Sequence, residues 1–177
     1  MGDFSRIKEE YRKLHADFLS RNNLLVKYMN DNIWAPSIPK EVYKIFDRYK
    51  DKSKSFIDLG SGDGLVVMIA SLFFGKAAGV EIEGEFYDVS LEMLKKLKIE
   101  NVSLIHDDMF NIPLNDFDIV FMAPDKEFTL KLENKIEREL NGILIVYSSI
   151  FQPKILKKIG SIETKYFSVG IYSNKAK

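Results

Sequence analysis

The spacing of apolar positions changes once along the chain. In residues 1–30, Phe4, Ile7, Tyr11, Leu14, Phe18 and Leu25 recur at intervals near three and four with charged residues between them, which predicts an amphipathic helix. The run Trp34-Ala35-Pro36-Ser37-Ile38-Pro39 breaks it, because two prolines so close together exclude a continuous helix. Val42, Ile45, Phe46 and Tyr49 then resume helical spacing. From Ser55 onward, short apolar runs alternate with longer amphipathic ones. They predict strands over 55–59, 77–82, 102–105, 117–122 and 143–147, helices over 65–74, 85–96 and 126–140, and a short helix over 153–159. The 117–122 run is apolar nearly throughout, as a strand covered on both faces must be. Residues 162–167 and 169–173 read as a closing β-pair around Ser168. Such alternation calls for right-handed crossovers and a parallel sheet with helices on both faces. The last two strands have too little chain between them for a crossover and should run antiparallel.

Composition narrows the class. The 177 residues suit one core domain, and 46% apolar with 29% charged residues is the balance of a globular chain. With no cysteine, a disulfide scaffold, a thiolate metal site and a thiol nucleophile are excluded. The two histidines, His15 and His106, are far apart and lack companion ligands, so no metal site is expected. No apolar run approaches membrane-spanning length, and residues 1–12 are charged and unlike a signal peptide; the expected location is cytoplasmic, with no membrane partner. The net charge of zero conceals a pattern: about +4 over residues 1–54, −9 over 55–125 and +5 over 126–177. An acidic middle favours a cationic ligand, and basic flanks could attract anions such as RNA.

The chemistry is concentrated in Asp58-Leu59-Gly60-Ser61-Gly62-Asp63-Gly64, which follows a predicted strand and opens a predicted helix. Glycines permit left-handed backbone and close approach of a ligand, and the following helix directs N–H groups at an anion. The G-x-G-x-G spacing differs from the G-x-G-x-x-G of a dinucleotide site, and the flanking Asp58 and Asp63 would repel a pyrophosphate. A zwitterionic amino acid attached to a cation would be accepted, its ammonium on a carboxylate and its carboxylate on the helix end. Glu81 closes the second strand, where an acid receives both hydroxyls of a ribose. Ribose, amino acid and positive centre together describe S-adenosylmethionine.

On these residues the chain resembles the class I S-adenosylmethionine-dependent methyltransferases. The resemblance implies a Rossmann-like α/β three-layer sandwich with a mostly parallel seven-stranded sheet, order 3-2-1-4-5-7-6 and last strand antiparallel. It covers residues 34–177 as the methyltransferase domain, with 1–33 as an amino-terminal helical extension. It assigns Asp58, Gly60, Ser61, Gly62 and Gly64 to the methionine part of the cofactor and Glu81 to the ribose. In His106-Asp107-Asp108-Met109-Phe110, Asp108 would bind the adenine amino group, with Asp107 the alternative by a one-residue slip; Met109 would pack on the ring and Phe110 could stack near it.

The methyl acceptor is read from two places. After the fourth strand, Met122-Ala123-Pro124-Asp125 lacks most of the Asn/Asp-Pro-Pro-aromatic string of enzymes that methylate adenine amines. The Trp34–Pro39 segment ahead of the domain and the charged helix at 132–140 resemble small archaeal protein-lysine methyltransferases and their mitochondrial relatives. That resemblance implies a protein lysine as acceptor and places Pro36 and its neighbours against the cofactor and the lysine channel. Asp125 and Tyr147 are the candidates to orient the amine, and Asp125 could alternatively cap the helix that follows. Two other readings stand beside this one: a methyltransferase acting on RNA or a small molecule, and a cofactor-binding module without catalysis.

Overall fold

The computed structural model describes residues 2–23, 26–29 and 32–174. In chain order the elements are α1 (Asp3–Asn22), β1 (Lys27–Met29), β2 (Asn32–Trp34), α2 (Pro39–Asp47), β3 (Asp51–Leu59), α3 (Leu65–Ala70), β4 (Phe74–Glu81), α4 (Gly84–Leu97), β5 (Val102–His106), β6 (Ile119–Met122), α5 (Leu130–Glu139), β7 (Ile143–Val146), β8 (Lys157–Glu163) and β9 (Ser168–Ser173). A 3-10 turn at Met109–Asn111 follows β5.

Seven strands form one sheet in the order β5-β4-β3-β6-β7-β9-β8. All neighbours pair in parallel except β9, which runs antiparallel to both β7 and β8. Counted from β3, this is the order 3-2-1-4-5-7-6 with the seventh strand reversed, as the sequence leads one to expect. One face of the sheet, with Phe56, Phe121 and Ile145, is buried under α1, α2, α3 and α4. The other, with Ile57, Val120 and Leu144, is buried under α5 and the stretch after β5. Phe46 of α2 makes edge contacts with Phe56, Phe74 and Phe121 at 5.0–5.7 Å between ring centres, so aromatic packing fills the first layer.

The structure departs from the sequence reading at several places: α3 stops at Ala70 and β4 begins at Phe74, where helix was expected to residue 74, and β8 runs Lys157–Glu163 rather than 162–167. The first helix stops at Asn22, where Asn23 takes a left-handed conformation and ends it; instead of helix to residue 30, β1 and β2 pair antiparallel. Leu25 lies outside the described residues. The short helix expected over 153–159 does not form. The buried Glu133 carboxylate of α5 accepts the backbone N–H groups of Lys154 and Ile155, and residues 157–159 enter β8. Helix α5 begins at Leu130 rather than Lys126, because Thr129 supplies the cap by accepting the Leu132 N–H at 3.2 Å.

Helix α1 is bound into the fold. Ile7 and Tyr11 are fully buried, a contribution of roughly 1.5–3 kcal/mol for each such side chain. Arg6 donates to the Leu97 carbonyl at 2.7 Å, and Lys96 meets Glu10 at 2.5 Å. Lys96 and Lys13 hold the Glu10 carboxyl down at about 2. Among the described residues no helix is long and apolar enough to cross a membrane, and no group of three or more His, Asp or Glu is placed to hold a metal ion.

Candidate cofactor site

Strand β3 delivers Gly60–Gly64 to the carboxy-terminal edge of the sheet, where the strand order diverges to either side. Gly60, Gly62 and Gly64 all have positive φ, and the Gly60 and Ser61 N–H groups both donate to the Val80 carbonyl at 2.9 Å, pinning the turn to β4. The glycines do different work. A Cβ on Gly60 would meet nothing within 4 Å, whereas one on Gly62 would lie 2.6 Å from Trp34 Nε1 and one on Gly64 2.9 Å from Ser90 of α4. Gly60 therefore faces open space, while Gly62 seats Trp34 and Gly64 seats α4.

That open space is a cavity of about 420 Å³ at the ends of β3 to β6. Its wall includes Asp58, Gly60, Ser61, Gly62, Glu81, Asp107, Asp108, Met109, Pro36 and Asp125. Gly64 and Tyr147, the other two residues singled out from sequence, do not line it.

Three buried carboxylates form the floor: Asp58, Asp63 and Glu81. Glu81 is compensated by backbone, with Oε2 accepting from Gly62 at 2.7 Å and Oε1 from Ile82 and Glu83 at 2.9 Å. A carboxylate offers about four acceptor positions, so this arrangement leaves capacity for roughly one ribose hydroxyl rather than two. Asp63 accepts the Leu65 N–H at 3.1 Å on one oxygen and faces His15 Nε2 at 2.7 Å on the other. Asp58 is 2% exposed, and its carboxylate takes no hydrogen bond from a described residue. Burial, then the negative charges of Glu81 and Asp63, push its carboxyl well above the usual range. An ammonium placed in the cavity would supply what Asp58 lacks.

The N–H groups of the turn are largely spent inside the protein. Besides Gly60, Ser61 and Gly62, Gly64 donates to the Ser61 carbonyl and Leu65 to Asp63. The helix end expected from sequence to receive the ligand's carboxylate is thus partly capped, and the acids are the prominent feature.

After β5, Asp107 Oδ1 accepts from Asp108 N and from Asn111, and Asp108 Oδ1 accepts from Phe110 N, capping the 3-10 turn. Both acids reach the cavity, with Asp107 exposed and Asp108 half-buried. Phe110 also lines it and carries the Lys131 ammonium 3.9 Å from its ring centre. Asp125 is not a helix cap: its Oδ2 accepts the Ile33 N–H of β2 at 2.7 Å. Tyr147 lies behind the site, packed on Phe121 and Phe167, and its hydroxyl accepts the Ile38 N–H at 3.4 Å. Burial pushes the Tyr147 hydroxyl up to about 12, so it stays protonated.

The β1–β2 hairpin forms one wall. Its inner face, Trp34 with Lys27, lies on Phe86 of α4, Lys27 pairs with Glu85, and the Ile33 N–H reaches Asp125. Trp34 to Ser37 line the cavity, while Ile38 and Pro39 do not. The sequence reading used Tyr11 only for the helical spacing and His15 only as an unsupported metal ligand, and gave neither of them nor Phe86 a place beside the cavity. The available signal was the spacing of Ile7, Tyr11, His15 and Phe18, which puts all four on one side of α1.

The unpartnered Asp58, the free volume at Gly60 and the acids at the ends of β4 and β5 fit S-adenosylmethionine. The fold is that of the class I S-adenosylmethionine-dependent methyltransferases. The methyltransferase-domain family model matches residues 50–167, and the chain belongs to that family. Among solved structures, an RNA methyltransferase from Salinibacter ruber in complex with S-adenosylhomocysteine superposes with a TM-score of 0.68 at 16% identity, over 80% of this chain and 95% of that one. A SAM-dependent methyltransferase from Aquifex aeolicus has a TM-score of 0.60 at 20% identity, over 97% of this chain and 98% of that one, so the alignment takes in most of α1. Geranyl diphosphate C-methyltransferase from Streptomyces coelicolor gives 0.53 at 17% identity, over 60% of this chain and 43% of that one. No curated protein matches the sequence.

Proposed function

We propose that this S-adenosylmethionine-dependent methyltransferase acts on the side-chain amine of a protein lysine. The observation that carries the reading is the charge of the cavity wall. Besides the three floor carboxylates, Glu83, Asp107, Asp108, Asp125 and Glu127 line it, against one basic residue, Lys126. A wall of that sign repels a phosphate backbone and attracts an ammonium.

We assign Asp58 to the cofactor's ammonium, Glu81 to a ribose hydroxyl and Asp108 to the adenine amino group. The cofactor, when bound, supplies a methyl group on a positively charged sulfur. Transfer is an in-line displacement, so holding the acceptor nitrogen in line supplies most of the protein's contribution. A free lysine has a pKa near ~10.4 and must arrive neutral. Asp125 attracts the ammonium to the mouth of the cavity, and entry between Trp34, Phe86 and Phe121 desolvates it, which favours loss of the proton. Tyr147 acts through Ile38, holding the proline segment that forms the outer wall.

Incubation with methyl-labelled cofactor and, side by side, a protein extract and total RNA tests the reading. Label on lysine is expected. Label on RNA alone would favour the second reading, for which the basic 126–177 segment is the supporting feature. Cofactor binding without transfer to either, or to small amines, would favour a non-catalytic module.

A further inference from the structure

Helix α1 places three side chains behind the cavity wall, against Asp63 and Trp34, which line it, and the methyl transfer uses none of the three. Tyr11 donates its hydroxyl proton to the Asp63 carbonyl at 2.9 Å, His15 Nε2 lies 2.7 Å from Asp63 Oδ2, and the rings of His15 and Phe18 meet Trp34 edge-on at 6.0 and 5.4 Å. The His15 and Asp63 side chains are 14% and 6% exposed, so the contact is shielded from solvent. Asp63 is consequently held from two sides, by the Leu65 N–H at the start of α3 and by α1.

We propose that His15 is a positioning residue for the cofactor: it hydrogen-bonds to Asp63 and fixes it, leaving Asp58 as the buried carboxylate available to the ligand's ammonium. The inference rests on reading the cavity as the cofactor site. Of the three floor acids, Glu81 has three backbone donors, Asp63 has Leu65 and His15, and Asp58 has none among the described residues. The titratable groups facing Asp58 are Glu81 from β4 and Asp63 from the turn; those facing Asp63 are His15 and Tyr11 from α1. Removing His15 takes away the donor on Asp63 Oδ2. The field of Asp63 on Asp58 then grows, Asp58 binds its proton more tightly, and ammonium binding weakens first at low pH.

S-adenosylhomocysteine is the probe, because its ammonium is its one cation. Its affinity for the full chain is measured by calorimetry and by quenching of Trp34, the only tryptophan in the sequence. His15→Ala should bind about tenfold more weakly on the acidic limb, because Asp58 there holds its proton against the ligand's ammonium over about one further pH unit. The acidic limb of its affinity profile should move up by about one pH unit. His15→Gln, which keeps an N–H donor near the position of Nε2, should restore both. Asp63→Asn, which removes the charge and does not depend on the folding of a His15 variant, should move the limb down. Identical profiles for wild type and His15→Ala, a His15→Gln as weak as His15→Ala, or an Asp63→Asn limb that does not move would each overturn the proposal. A wild-type chain that binds no S-adenosylhomocysteine would instead remove the cofactor assignment on which it rests.

Discussion

Replacing Asp58 with Asn should flatten the dependence of folding stability on pH and weaken cofactor binding. In the unfolded chain this carboxyl ionises near ~3.9. In the fold, burial and the neighbouring Glu81 and Asp63 raise it well above that value. Between the two values the folded protein keeps a proton that the unfolded chain has released, so stability falls as pH rises, by about 1.4 kcal/mol per pH unit, and levels off above the folded value. Asn has nearly the same shape and does not titrate. Its buried amide adds a cost of about 1–3 kcal/mol if left unpaired, but that cost is independent of pH. The slope, rather than the absolute difference, is therefore diagnostic. Urea unfolding of both proteins at several pH values, with unchanged m-values, gives the difference directly. It should grow in favour of Asp58→Asn as pH rises; a difference flat across the range would refute the argument that Asp58 is desolvated and opposed by its neighbours. S-adenosylhomocysteine affinity should fall about tenfold or more in the variant, as for the loss of a charged hydrogen bond.

Gly60→Ala should lose about 1–2 kcal/mol of stability from its positive φ and also lose cofactor binding, because the added methyl enters the cavity; retention of binding in calorimetry would place the ligand elsewhere. Glu133→Ala should cost about 2–3 kcal/mol in denaturant unfolding by leaving the Lys154 and Ile155 N–H groups without their carboxylate. Asp125→Ala frees the Ile33 N–H and should expose Trp34, seen as a red shift of its emission, whereas Asp125→Asn keeps an acceptor and should hold the hairpin while slowing transfer to lysine.

The sheet was legible because the buried part of each strand from β3 to β7 is a short, mostly apolar run between a turn and an amphipathic stretch, a pattern local in sequence; the polar start of β3, Asp51–Ser55, carried no such signal. The placement of Asp58, Gly60 and Glu81 at strand ends was legible for the same reason. What the sequence did not disclose depends on partners distant along the chain. His15 acquires its meaning from Asp63, 48 residues away, and Asp125 from Ile33, 92 residues away. The helix expected over 153–159 failed for a related reason, since its backbone N–H groups are captured by Glu133, more than 20 residues earlier. Gly62 looked equivalent to Gly60, and only the approach of Trp34 separates their roles.

The carboxy-terminal hairpin guards the molecule against its own copies. Strand β7 is Ile143-Leu144-Ile145-Val146, and β9 occupies its outer side through four paired positions. Stripped of β9, that wholly aliphatic rim would offer free N–H and C=O groups to any neighbouring chain, a template for aggregation. The rim that actually meets solvent is β8, which opens with Lys157 and Lys158 and has an irregularity before Gly160, charge and distortion that discourage strand addition. Trimming the last two strands should therefore cost solubility before it costs chemistry.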